Sequence, residues 1–258
     1  HIFVLPPVTK ANAVISQATF RSDDTFSRYL TYFLLFAFAS GTLAHCLPAV
    51  LPVTKVTTDG LLFVLNGLVL YAIYRSNQDR RLFWWLLVAY WFTFAMEAIG
   101  VATGAVFGDY AYGPTMWLQW LGVPFVIALN WCVLTLACNE LACRILGTQG
   151  EKKLQQAEDS TTNPLSHIPY PLSLILPPAL AAVFTALYDV AIEPVAIQLD
   201  YWQWAGGAIP LQNYLAWAAI AFLISVPLYI FRIRFRSPVL LVYLFAQLFF
   251  FLVLNLML

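Results

Sequence analysis

Seven apolar stretches set what this chain can fold into. They lie near residues 28–47, 56–74, 82–105, 117–146, 171–193, 211–231 and 238–258. A helix needs roughly 20 apolar residues to cross a bilayer, because every backbone polar group must be satisfied within the segment. Each stretch meets or nearly meets that length. The sequence therefore predicts an all-α, polytopic membrane protein of about seven transmembrane helices, with residues 1–258 forming a single integral membrane domain. The charge content agrees: 10% of residues are Asp, Glu, Lys or Arg, against about 25% in soluble domains. The stretch at 117–146 is long enough to tilt or to run past the headgroups. The polar run at 148–163 reads as a loop, and residues 1–27 lack the continuous apolar run of a signal peptide.

Basic residues orient the spans. With seven crossings, Lys10, Arg21, Arg28, Arg75, Arg80, Arg81, Arg144, Lys152, Lys153, Arg232, Arg234 and Arg236 fall on one side and Lys55 alone on the other. This places the protein in the inner or plasma membrane as a multi-pass chain, its N-terminus cytoplasmic and its C-terminus outside. Asp79 and Glu140 sit among the bases and read as part of a solvated, charge-balanced face. Glu97, Asp109, Asp189, Glu193 and Asp200 do not: they lie in or near the opposite half with almost no basic partner.

An ionisable residue at membrane depth is expensive and marks a functional site by default. Glu97 follows Leu82 by fifteen residues, about 22 Å along a helix, and Asp189 follows Pro171 by eighteen, about 27 Å. Both therefore reach the same outer third of the membrane. Asp189 and Glu193 are spaced i, i+4 and share a helix face, and Pro194 is expected to end that helix. Two carboxyls this close in low dielectric do not both ionise easily, an arrangement suited to a neutral acid that donates a proton. Tyr110, Tyr112, Trp202, Trp204, Asn213 and Trp217 gather at the same level, with Asn130 and Trp131 deeper. Singly, such aromatics form interfacial belts. Gly100 and Gly104, four apart, suit close helix packing.

Other chemistries find little support. Cys46, Cys132, Cys138 and Cys143 form no Cys-x-x-Cys pair and read as free buried thiols, so a metal site is not expected. His45 is the one histidine within a span and reads as structural, which leaves no haem-ligand pair. The last span contains no lysine for a retinal Schiff base.

The quoted residues resemble a known family. Glu97-x-x-Gly100-x-x-x-Gly104-x-x-Phe107-Gly108-x-Tyr110-x-Tyr112 is similar to the signature of the CruF-type carotenoid 1',2'-hydratases, which include the bisanhydrobacterioruberin hydratases. Leu187-Tyr188-Asp189-x-x-x-Glu193-Pro194, Trp202-x-Trp204 and Pro210-x-x-Asn213-Tyr214-x-x-Trp217 form a second matching block, with Gly122-Val123-Pro124 and Asn130-Trp131 between. The run Gly206–Pro210 departs from the Tyr-Phe-Gly-like sequence expected before that proline. The likeness spans roughly residues 85–220.

The resemblance implies addition of water to the terminal double bond of an acyclic or monocyclic carotenoid, giving a tertiary alcohol. The substrate would be lycopene, gamma-carotene or a C50 relative, drawn from the lipid bilayer, and no cofactor is needed because hydration is redox-neutral. Asp189 is the expected proton donor, Glu97 the base that orients water and Glu193 the group that tunes Asp189; the exchange of the first two roles stays open. Tyr110, Tyr112, Asn213 and Trp204 are expected to position substrate and stabilise the cation, and Asn130, Trp131 and Asp109 complete the candidate binding set. Two alternatives share these residues: a transporter or proton channel using the intramembrane carboxylates, and a carotenoid-binding protein without turnover.

Overall fold

The computed structural model describes residues 25–147 and 170–257. The expected polar loop, together with Lys10, Arg21, Lys152 and Lys153, lies outside the described residues. Among the described residues seven α-helices account for most of the length: α1 (Thr25–His45), α2 (Leu51–Asn77), α3 (Arg80–Thr103), α4 (Phe125–Ile145), α5 (Tyr170–Gln198), α6 (Leu211–Ile230) and α7 (Pro238–Met257). Four short strands join them: β1 (Tyr110–Tyr112), β2 (Gln119–Trp120), β3 (Val123–Pro124) and β4 (Trp202–Trp204). The protein is an all-α polytopic membrane protein. Six helices, α2 to α7, are long and apolar enough to cross a membrane. The first has 21 residues, but Arg28, Ser40, Thr42 and His45 dilute its apolar character.

The helices overlap the apolar stretches of the sequence, but several ends fall elsewhere for local reasons. The segment 117–146 does not form one long helix. Leu121 and Gly122 both take positive φ, 52° and 75°, the requirement of a tight two-residue hairpin turn. Accordingly, Gln119–Trp120 pairs with Val123–Pro124, and α4 begins only at Phe125. Pro194 does not end α5, which runs on to Gln198. A proline inside a membrane helix is tolerated where neighbours satisfy the freed backbone, and Asn255 of α7 donates its amide to the Ala191 carbonyl at 2.9 Å beside this proline. At its start, α2 takes in Lys55 and Asp59. Asp59 is buried and accepts the Leu118 backbone N–H at 3.1 Å.

At the centre stands α4, which packs against α2, α3, α5, α6 and α7. Its buried set surrounds the helix rather than striping it, with small Ala128, Cys132, Ala137, Cys138 and Ala142 among them. A helix apolar all round belongs in a core, and small residues let neighbouring backbones approach. Polar side chains add glue: Asn139 donates to Ser225 Oγ at 2.7 Å and accepts from the Tyr229 hydroxyl at 2.9 Å. None of the four cysteines is in a disulfide. His45 is buried, with Nδ1 2.8 Å from the Gly41 carbonyl.

The arginine-bearing ends of the helices meet at one end of the bundle, and here the expectation of a solvated acidic face fails. Asp79 and Glu140 are buried, with arginines over them. Glu140 accepts from Arg144 Nε at 2.7 Å and also from Arg236. Asp79 caps α3 by accepting Arg81 N–H, takes two more bonds from the Arg81 guanidinium and a fourth from Arg234 N at 2.9 Å. The α6–α7 connection is thereby tied to the start of α3.

The Arg81 hydrogen bonds, set against burial and helped by the Arg234 amide, hold the Asp79 carboxyl down at about 2. A depressed carboxyl stabilises the fold above its unfolded value, 3.8, and that stabilisation is lost as pH falls through the folded value. Thermal stability in detergent is expected to fall as pH drops from about 4 to about 2. An Asp79→Asn variant, with no charge to titrate at this site, should show a shallower decline. Identical slopes for the two proteins would remove Asp79 from the acid transition.

Candidate active site

Two short peptides at opposite ends of the middle sequence build the roof of the site. Tyr110-Ala111-Tyr112 and Trp202-Gln203-Trp204 pair antiparallel, with Tyr110 opposite Trp204 and Tyr112 opposite Trp202. Side chains alternate across a strand, so all four aromatics face one way, while Ala111 and Gln203 are exposed. The ribbon lies tight against the end of α5: a Cβ added to Gly113 would fall 2.0 Å from the Asp200 carbonyl oxygen, so no larger residue fits there. Gly100 makes room in the same way, since Phe107 packs where its side chain would go.

Beneath this roof the aromatic donors are spent on two carboxyls. Glu97 of α3 accepts from the Tyr110 and Tyr112 hydroxyls at 2.5 and 2.9 Å on one oxygen, and from Trp131 Nε1 at 2.8 Å on the other. Glu193 of α5 accepts from Trp202 Nε1 and Trp204 Nε1, both at 2.9 Å, and from Asn213 Nδ2 at 3.2 Å. Each carboxyl thus takes three neutral donors and no cation. Burial first, then the neighbouring Glu97 charge, pushes both tyrosine phenols well above their usual range, so they remain O–H donors.

Asp189 is different. One oxygen accepts Asn213 Nδ2 at 2.5 Å, and the other, Oδ1, has no partner although the residue is 0% exposed. The Asn213 amide spends both its hydrogens bridging Asp189 to Glu193. All three carboxyls line one cavity of about 60 Å3, room for a few waters at about 10–15 Å3 each. Tyr188 Oη and Gln247 Oε1 line it too and are likewise buried without partners. Buried polar atoms of this kind call for a polar guest. Trp131 stacks on Trp217, ring centroids 4.0 Å apart, as part of the apolar wall.

The geometry gathers buried carboxyls and an aromatic roof within a bundle of apolar helices, and comparison with known families adds a family to it. Residues 59–258 match the family described as carotenoid biosynthesis protein. The chain belongs to the carotenoid biosynthesis protein family. The matched range contains every side chain of the cavity; of the described helices it leaves out α1 and the first residues of α2. No match is found among curated proteins or among solved structures.

In this carotenoid biosynthesis protein the cavity brings together Glu97, Tyr110, Tyr112, Asn130, Trp131, Asp189, Glu193, Trp204 and Asn213, nine of the ten residues singled out above. Asp109 is the exception. It points away from the cavity into an exposed position, and only its backbone carbonyl is engaged, by Ala205 N–H at 2.9 Å. Asn130 accepts from the Tyr243 hydroxyl at 2.8 Å and from Gln247 at 3.4 Å. Gln247 and Tyr188 were not anticipated as site residues. For Gln247 a signal existed, since an amide in an otherwise apolar span is as conspicuous as an acid.

Proposed function

We propose that the protein is a carotenoid hydratase that adds water to the terminal isopropylidene double bond of an acyclic or monocyclic carotenoid. The observation that carries this reading is Asp189 Oδ1: a fully buried carboxyl oxygen with no partner, on a residue that lines a cavity whose other two carboxyls each accept three donors. A proton can sit on that oxygen and leave from it without breaking an existing bond.

The sequence of events follows from chemistry. Asp189 gives its proton to the CH carbon of the double bond, and a tertiary cation forms at the carbon bearing two methyls. Fixed negative charge from Glu97 and Glu193 lowers the energy of that cation in a water-poor site, and the stacked faces of Trp131 and Trp217 add cation–π attraction. A water held on Gln247 Oε1 and Tyr188 Oη forms the C–O bond. Its surplus proton passes to Glu97, whose two oxygens have room for one more bond beyond the three they accept. Return of that proton to Asp189 through cavity water resets the site, for a net gain of one water.

The bias of basic residues to the opposite end supports a cavity towards the outer face with the N-terminus cytoplasmic. The test is expression in a bacterium that accumulates an acyclic carotenoid, followed by mass analysis of the pigments. A product heavier by one water is expected. Unchanged pigment that co-purifies with the folded protein would replace the hydratase by a binding protein, and unchanged pigment without co-purification would sink both.

A further inference from the structure

A second cavity, of about 520 Å3, opens between the inner halves of α3 and α6. Its walls include Trp84, Trp85, Val88, Leu223, Ile224 and Pro227. Resting on the hydratase reading, we infer that this groove holds the polyene tail of the carotenoid whose end group occupies the carboxyl cavity.

The two spaces lie on the same helix stripes. On α3, Trp85, Ala89, Thr93 and Glu97 recur at intervals of four, which aligns them along one face; Trp85 and Ala89 line the groove and Glu97 the cavity. On α6, Asn213 and Trp217 line the cavity, while Ile224 and Pro227 line the groove further along. Between them, Thr93 and Ile220 are buried in the seam. Thr93 spends its hydroxyl on the Ala89 and Tyr90 carbonyls at 2.9 and 3.1 Å, so it offers the seam no polar group.

Length and polarity select the occupant. From Glu97 to Arg81, at the far end of the groove, is sixteen residues, or about 24 Å of helix, comparable with a hydrocarbon core of about 30 Å. Along that distance no buried side-chain polar atom of the described residues lining the groove is left without a partner. The Trp85 indole N–H is bonded to the Ile224 carbonyl at 2.7 Å, and Arg81 is committed to Asp79 and to the Phe231 carbonyl at 2.8 Å. The groove therefore suits a long, methyl-branched hydrocarbon anchored at one end, and a volume of this size is that of a ligand site, about 300–1,000 Å3.

Chain-length preference tests the assignment. Val88 and Leu223 are 67% and 57% exposed, so a Val88→Trp/Leu223→Trp double variant narrows the groove without entering the core; Ala89→Phe fills its floor as a second route. Each is assayed with a full-length acyclic carotenoid and with a short isoprenoid hydrocarbon carrying the same terminal group. The expected result is a loss of roughly tenfold or more in kcat/KM for the long substrate, with the short one unchanged. Equal effects on both substrates, or none on the long one, would assign the groove to bilayer lipid and overturn the inference. Wild type that hydrates neither substrate overturns the hydratase reading instead. In that event quenching of tryptophan fluorescence by bound polyene decides: weaker binding in the double variant supports the groove, and undiminished binding overturns it.

Discussion

Asp189→Asn is expected to abolish hydration while the protein still folds. Asparagine has the shape of aspartate and retains a carbonyl oxygen to accept the Asn213 amide, the one hydrogen bond Asp189 makes. It cannot deliver an acidic proton to an alkene. Loss of a general acid costs about 10²–10⁴-fold in rate, which in a pigment assay reads as no hydrated product. Folding is checked separately, by melting in detergent and by carotenoid retained through purification, and both should match wild type. The comparison with Asp189→Ala is informative, because alanine also leaves Asn213 short of an acceptor and should lower the melting temperature as well. An Asp189→Asn protein that turned over at a tenth of the wild-type rate or better would move the acid role elsewhere, with Glu193 the next carboxyl on the same face.

What the sequence disclosed depended on how local each cause was. Apolar length is a local property, so the spans could be read directly, and the price of a charge in a membrane made Glu97, Asp189 and Glu193 conspicuous. The ends of the spans depend on turn chemistry and packing: Leu121-Gly122 cut the fourth span short, while Pro194 did not stop the fifth, which near that proline is bonded at the Ala191 carbonyl by Asn255, about sixty residues away. The aromatic ribbon was visible only in halves. Tyr-x-Tyr and Trp-x-Trp each show the alternation of a strand, but the pairing of Tyr110 with Trp204 is a long-range event that neither half specifies. Asp79 and Glu140 looked solvated because their partners, Arg234 and Arg236, come from a distant connection. Gln247 sits in a segment otherwise read for length alone, and its place in the cavity emerged only when α7 was packed against α4.

Glu97→Gln should be the second severe lesion, and for a different reason. Three donors converge on Glu97, and a carboxylate accepts all of them. A glutamine amide has one acceptor oxygen and one donor group. If its oxygen keeps Trp131 Nε1, its NH₂ faces the two tyrosines, whose hydroxyls can turn to accept; if it is flipped, the NH₂ meets an indole N–H that can only donate. The first arrangement keeps the roof in place but removes the negative charge that faces the developing cation. Loss of one such electrostatic group costs about 10²–10³-fold, so hydration should fall by that order with polyene binding retained. Tyr112→Phe separates charge from scaffold: it leaves the carboxylate and two donors, and should cost far less than Glu97→Gln. If Tyr112→Phe instead matched the loss of Glu97→Gln, the role of Glu97 would be to hold the ribbon rather than to meet the cation, and the charge stabilisation would pass to Glu193 alone.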